Sequence, residues 1–296
     1  MVRGISKDSY FKKTLRFSAE CFSFTQGQTF GIVKEKQNYH EKNLLIHCPG
    51  NLNHLGICTK RKIYSCHEKK PGGHAITTNV EHAAVYRCMQ WAQEKGVEIT
   101  SLEVGRRGAP TPEMVRAAIK PNTRLIILMA ANNETGVLTD WKAIAAVAEE
   151  AKIPLVIDGV ALLGKEEITI PPGVSAICFS GHKIHASTGV GVAIIRRKLP
   201  LEPLIIGGDH EFGRRGGTQN LPGILGIAKA IELLKEEMPT AIPRMRKLRD
   251  RLEEGIRALF PPLIVNGEGP RTANTLNVQF PGVEGEALLT LLDRQG

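Results

Sequence analysis

The sequence predicts an α/β fold: a mostly parallel sheet with helices on both faces. Three observations lead there. From about residue 76, short apolar runs alternate with helical patterns, the order that builds strand–helix–strand units. The runs "TRLIILMA", "PLVID" and "VSAICFS" are continuously apolar, as in strands covered on both faces. The polar residues that punctuate the chain collect where those runs stop, the edge at which open α/β sheets bind ligands.

The elements follow in order. "EHAAVYRCMQWAQEKG" carries helical spacing and closes on Gly96. "VEITSLEV" reads as a strand. Thr111 caps a helix whose first turn holds Pro112, where the missing N–H costs nothing. "TRLIILMA" is a buried strand, and Asp140 then caps "WKAIAAVAEEAK". "PLVID", "VSAICFS" and "GVGVAIIRR" are three more strands. Beyond Pro222 come two long helical patterns, 222–237 and 243–260. A strand in "NTLNVQF" and a helix in "EGEALLTLLD" follow, in a smaller unit. The expected division is a basic segment at 1–75 with no readable fold, a large domain at 76–237 and part of a small domain at 238–296.

Composition narrows the function classes. The chain has 296 residues, 42% of them hydrophobic, and no apolar run of the length a membrane span needs. The start, "MVRGISKDSYFKKTLRF", lacks the apolar stretch of a secretory signal. The six irregularly spaced cysteines are then expected as reduced thiols in a cytoplasm. Residues 1–75 hold 13 Lys and Arg against 5 Asp and Glu, whereas the rest holds 26 against 25. The large domain therefore gives no electrostatic footprint for nucleic acid. In the basic segment, aromatic residues do not interleave with the charges in an RNA-binding pattern. "HCPGNLNHLGIC" with Cys66-His67 offers zinc-ligand types, but no C-x₂-C pair occurs and no metal is expected.

The strand ends carry a consistent set of groups. "LIILMA" leads into Asn132-Asn133-Glu134, "LVI" into Asp158, and "ICF" into Ser180-Gly181-His182-Lys183; a glycine-rich loop, "GGDHEFGRRGGTQN", comes later. Each alone has an ordinary structural explanation: a turn, a helix cap, a solvated lysine, a connector. Together they offer an amide, a carboxylate, an amine and phosphate-binding backbone on one edge. Pyridoxal phosphate (PLP) chemistry needs that set. An amine binds the cofactor aldehyde. A carboxylate keeps the pyridine nitrogen protonated and the ring an electron sink. Hydroxyls and glycine-rich N–H groups hold the phosphate.

In order along the chain, "TTNVEHAAV", "ANNETGV", "LVIDGVALLGK", "FSGHKIHASTGVG", "GGDHEFGRRGGTQNLPGI" and "TLNVQFPGVEGEAL" resemble the cysteine desulfurase and selenocysteine lyase group of class V aminotransferase-fold PLP enzymes. The resemblance implies the large domain of that fold and a homodimer. It implies release of sulfur or selenium from cysteine or selenocysteine to give alanine, with a sulfur-acceptor scaffold protein and iron–sulfur cluster assembly as the wider setting. By motif, Lys183 matches the Schiff-base lysine and His82 the histidine that stacks on the ring and moves protons. Asn133 matches the amide near the phenolic oxygen, and Asp158 the partner of the pyridine nitrogen. Ser180 and His182 match phosphate ligands, and Thr218 the phosphate ligand that reaches across the dimer.

The match departs from the pattern in three places. The family's opening segment, with its Ser-Gly-Ala-Thr-Glu phosphate turn, is not found in residues 1–75. Ala161 stands where the family has a glutamine three residues after the aspartate. The sequence stops at "LLDRQG", before the family's cysteine-bearing loop and carboxylate-binding arginine. The expectation is a cysteine desulfurase-like PLP protein impaired or inactive as this chain stands. The alternative is a non-catalytic remnant of the fold that dimerises or scaffolds.

Overall fold

The computed structural model describes residues 44–49, as backbone, and residues 72–201, 203 and 205–295. The zinc-ligand types of the basic segment lie outside the residues whose side chains are described. The strands are β1 (Leu44–Pro49), β2 (His74–Thr78), β3 (Glu98–Leu102), β4 (Thr123–Met129), β5 (Leu155–Asp158), β6 (Val174–Ser180) and β7 (Val190–Ile195). They form one sheet in the order β1-β7-β6-β5-β4-β2-β3. The β3-β2-β4-β5-β6 run is parallel, and β7 is antiparallel to both β6 and β1. The mostly parallel α/β sheet is as the apolar runs predict. Helices α1 (Ala83–Glu94), α2 (Pro112–Ala118) and α3 (Trp141–Glu150) connect the parallel strands.

The local reasons are those of the sequence. Thr111 Oγ1 accepts from the Met114 amide at 3.3 Å and Asp140 Oδ1 from the Ala143 amide at 3.1 Å, each capping its helix. Gly96 leaves α1 at φ 86°, a left-handed turn that favours glycine. Alternate strand residues feed two cores. Ile126, Leu128, Leu155 and Ile157 pack with Trp141, Ile144 and Val147 on one face. Leu125, Ile127 and Val156 pack with Val85, Met89 and Ala92 on the other. Each fully buried Ile or Leu contributes roughly 1.5–3 kcal/mol, so the sheet is a rigid platform for whatever its edge carries.

Two elements differ from the sequence expectation. The patterns 222–237 and 243–260 are one helix, α4 (Leu221–Leu259), which runs through Pro239 and Pro243. Both prolines sit on the exposed side, where the carbonyls they leave without a donor meet water. The Thr240 hydroxyl also donates to the Glu237 carbonyl at 3.0 Å. Within the segment without readable periodicity, Leu44–Pro49 joins the large sheet as an edge strand against β7. Beyond α4, β8 (Ile264–Val265) pairs antiparallel with β9 (Val278–Gln279), and α5 (Gly285–Asp293) follows. Among the described residues no helix is long and apolar enough to cross a membrane.

The chain lays β3 on one side of β2 and β4 on the other. The direction of winding therefore reverses between β2 and β4, and the crevice of an open α/β sheet opens beyond the carboxyl ends of those strands.

Candidate active site

The strand-end groups singled out in the sequence stand at that edge. Asp158 ends β5, paired in register with Met129 of β4 and Cys178 of β6. It is 3% exposed. Its Oδ1 accepts from the Val160 amide at 2.9 Å. Its other oxygen has no hydrogen bond among the described residues. Burial pushes its carboxyl above the usual range; the Val160 hydrogen bond and the nearby His82 ring oppose that shift. Gly159 follows because nothing larger fits: a Cβ there would lie 2.5 Å from Phe179 Cε1.

His82 is the N-cap of α1, and its Nδ1 accepts from the Ala84 amide at 3.1 Å. That bond reserves Nδ1 as an acceptor, so the ring proton belongs on Nε2, the nitrogen free to face a ligand.

The asparagine pair splits by role. Asn132 is 7% exposed and fully engaged. Its Nδ2 donates to the Val80 carbonyl at 3.0 Å, and its Oδ1 accepts from the Glu134 and Thr135 amides at 3.0 and 2.9 Å. It ties the turn after β4 to the turn after β2. Asn133 is exposed and donates only to Glu134 Oε1, at 2.6 Å.

Ser180 ends β6, and a single 3₁₀ turn, Gly181–Ile184, carries Lys183 directly beyond it. Ser180 Oγ and His182 Nδ1 lie 2.7 Å apart. The turn closes on His185 at φ 65°, an uncommon conformation for a residue other than glycine. Lys183 is exposed and forms no ion pair among the described residues. Lys165 is its neighbour: burial first, and the Lys183 charge second, hold the Lys165 ammonium below the usual lysine range. Thr218 sits apart, exposed on the loop after Gly217 that leads to the α4 cap, Asn220. Ala161 is half-buried and packs against the core beneath β5.

Two further groups were not candidates from sequence. Lys165 is the lysine of "LLGK". Glu81 precedes His82 and reads there as an ordinary acidic residue before a helix. Its Oε1 accepts from the Thr78 hydroxyl at 2.7 Å and the Met129 amide at 3.1 Å. Its Oε2 is enclosed and has no partner among the described residues.

Comparison with known proteins assigns this arrangement to a family. The aminotransferase class V profile matches residues 61–296. The chain belongs to the class V aminotransferase family. Within it, the relatives are those of the cysteine desulfurase group. The chain is 39% identical over 225 residues to a cysteine desulfurase of Nostoc sp., covering 75% of this chain and 56% of that protein. It is 39% identical over 227 residues to cysteine desulfurase IscS of Methanosarcina thermophila, covering 76% and 56%. The chain thus spans little more than half the length of these curated relatives. Among solved structures, a NifS-like protein superposes with a TM-score of 0.78 at 32% identity, covering 85% of this chain and 69% of that one. DndA from Streptomyces lividans superposes with a TM-score of 0.79 at 28% identity, covering 99% and 80%. SspA in complex with cysteine gives 0.71 at 26%, covering 85% and 70%. The class V match begins at residue 61, upstream of β2 and of the point from which the sequence motifs were legible.

Proposed function

We propose that this chain binds pyridoxal 5′-phosphate at the carboxyl edge of β2, β4, β5 and β6, as a protein of the cysteine desulfurase type. The observation that carries the reading is the buried Asp158 carboxyl, one oxygen held by Val160 and the other without a partner among the described residues. A buried anion is costly unless a cation reaches it, and a protonated pyridine nitrogen is such a cation. The other groups fit the same occupant. Lys183 offers an unpaired amine for the aldehyde. Asn133, not the engaged Asn132, has an amide to spare for the phenolic oxygen. His82 keeps Nε2–H for proton movement over the ring. Ser180, His182 and, from a second copy, Thr218 would hold the phosphate. The bound cofactor supplies an electron sink for charge developing on a substrate amino acid.

The substrate we infer is an amino acid of the cysteine or selenocysteine kind, taken by a cytoplasmic homodimer that hands sulfur to an acceptor scaffold protein. Similarity to cysteine desulfurases, and to a protein solved in complex with cysteine, supports the substrate class. Ile206 and Phe212, 78% and 60% exposed on the loop that precedes Thr218, are an apolar face of the sort a second copy covers. The described thiols supply no mobile nucleophile: Cys178 is buried in β6 and Cys88 sits within α1. Neither Cys88 nor Cys178 is therefore proposed to carry sulfur release, and a non-catalytic dimerising role is the second reading. Titration of the purified protein with PLP tests the first part. A visible absorbance band that Lys183→Ala abolishes is expected; no band, or one that survives in the variant, overturns it. Incubation with cysteine tests the second part, where alanine formation that is lost on replacing Cys88 or Cys178 would contradict the account.

A further inference from the structure

Glu81 stands at the reversal of winding. Its Oε1 takes one donor from the end of β2, the Thr78 hydroxyl, and one from the end of β4, the Met129 amide. The carboxyl thus continues the sheet past the last residue of β2 and satisfies a backbone N–H that would otherwise be orphaned. Its backbone neighbour Val80 is fixed in turn by Asn132. The residue as a whole is half-buried, but its carboxyl end is enclosed, and Oε2 meets neither donor nor solvent.

An ionised carboxylate in that position would carry a bare, buried oxygen. Protonation lowers the cost by removing the buried charge, and the proton goes to Oε2, the oxygen that accepts no hydrogen bond. The groups acting on Glu81 are Thr78 from β2, the Met129 amide from β4 and the Asp158 carboxyl from β5, and it has no salt bridge among the described residues. Asp158 is the second buried carboxyl, and two neighbouring carboxyls do not readily ionise together. They are unequal in surroundings: the His82 ring opposes the upward shift at Asp158, whereas nothing outside the Thr78 and Met129 hydrogen bonds opposes it at Glu81.

We propose that Glu81 is a resident neutral acid of this site: a positioning residue that joins β2 to β4 with one oxygen, presents a proton on the other, and adds no charge beside Asp158. Burial, with a smaller push from Asp158, raises its carboxyl to about 8. At neutral pH the Glu81 carboxyl then adds no negative charge to the crevice. Above about pH 8 it does, and that charge disfavours an anionic, phosphate-bearing ligand. This last consequence rests on the proposed PLP site; the protonation of Glu81 does not.

Glu81→Gln separates the two, because Gln keeps an acceptor for Thr78 and Met129 and a donor in place of the acid proton. The first readout needs no cofactor. Infrared spectra of the unliganded protein with isotope-labelled glutamate should show a protonated-carboxyl band at pH 7 that Glu81→Gln removes and Asp158→Asn leaves. The second is stability against pH. The folded state holds a proton that the unfolded chain has released, so wild type should lose stability relative to Glu81→Gln as pH rises from about 4.5 to about 8. The third is PLP affinity against pH: wild type should fall roughly tenfold above pH 8 relative to Glu81→Gln. If Glu81→Gln does not fold, the labelled wild-type band, titrating near pH 8, carries the test. No difference band and parallel stability curves overturn the proposal, whether or not PLP binds. If the band and the stability difference are present but neither protein binds PLP, the neutral acid stands and the cofactor reading falls.

Discussion

Replacing Asp158 with Asn should weaken PLP binding while making the unliganded protein more stable, a combination that a purely structural residue does not produce. Asn preserves the shape and still offers an oxygen to the Val160 amide. What it removes is the charge. In the unliganded fold that charge is unfavourable, because burial pushes the carboxyl above the usual range. The unfolded chain releases this proton near pH 4. The folded chain releases it later, so stability falls as pH rises through the folded value, and the Asn variant is spared that fall. At pH 7 the variant should melt higher than wild type, and the gap should close towards pH 4. With cofactor the sign reverses. The lost interaction is one hydrogen bond to a charged group, about 1.5–3 kcal/mol, or roughly ten- to a hundredfold in Kd. Calorimetric melting between pH 4 and pH 8, with an absorbance titration for Kd, reads both. An unchanged Kd, or a variant that melts lower than wild type at pH 7, would refute the reasoning.

Three other outcomes follow from the geometry. Asn132→Ala strips partners from two amides and a carbonyl and should cost about 2–4 kcal/mol, whereas Asn133→Ala should leave stability within about 0.5 kcal/mol. Urea unfolding separates them, and PLP affinity should fall in Asn133→Ala. Gly159→Ala places a methyl 2.5 Å from Phe179 Cε1 and should cost roughly 1–3 kcal/mol by overpacking, read as a lower urea midpoint. Exchanging Lys165 for Met removes the charge beside Lys183 and relieves its own burial. The unliganded variant should therefore match or exceed wild-type stability at pH 7 and lose that advantage at alkaline pH, where Lys165 is neutral in wild type as well.

Much of this was legible because the local and global signals agree. Continuous apolar runs name the buried strands, and Thr111, Asp140 and Gly96 punctuate the helices where they stand. The strand-end positions of Asp158 and Lys183 follow from those runs. What escaped has physical causes. Leu44–Pro49 is an edge strand in basic, aperiodic sequence, and its partner β7 supplies the order that its own pattern lacks. The prolines of α4 read as a break because sequence does not reveal that both face water. Glu81 looks like any acidic residue before a helix. Its neutral state depends on enclosure between two strand ends that are 51 residues apart in sequence, Thr78 and Met129.

The central claim is that Lys183 is the amine that holds the cofactor. Borohydride reduction of the PLP-loaded protein followed by peptide mapping tests it most directly, because it distinguishes Lys183 from Lys165, whose ammonium feels the Lys183 charge. The account predicts a single labelled peptide, carrying Lys183 within "FSGHKIHASTGVG". Label on Lys165, or spread over several surface lysines, would contradict it.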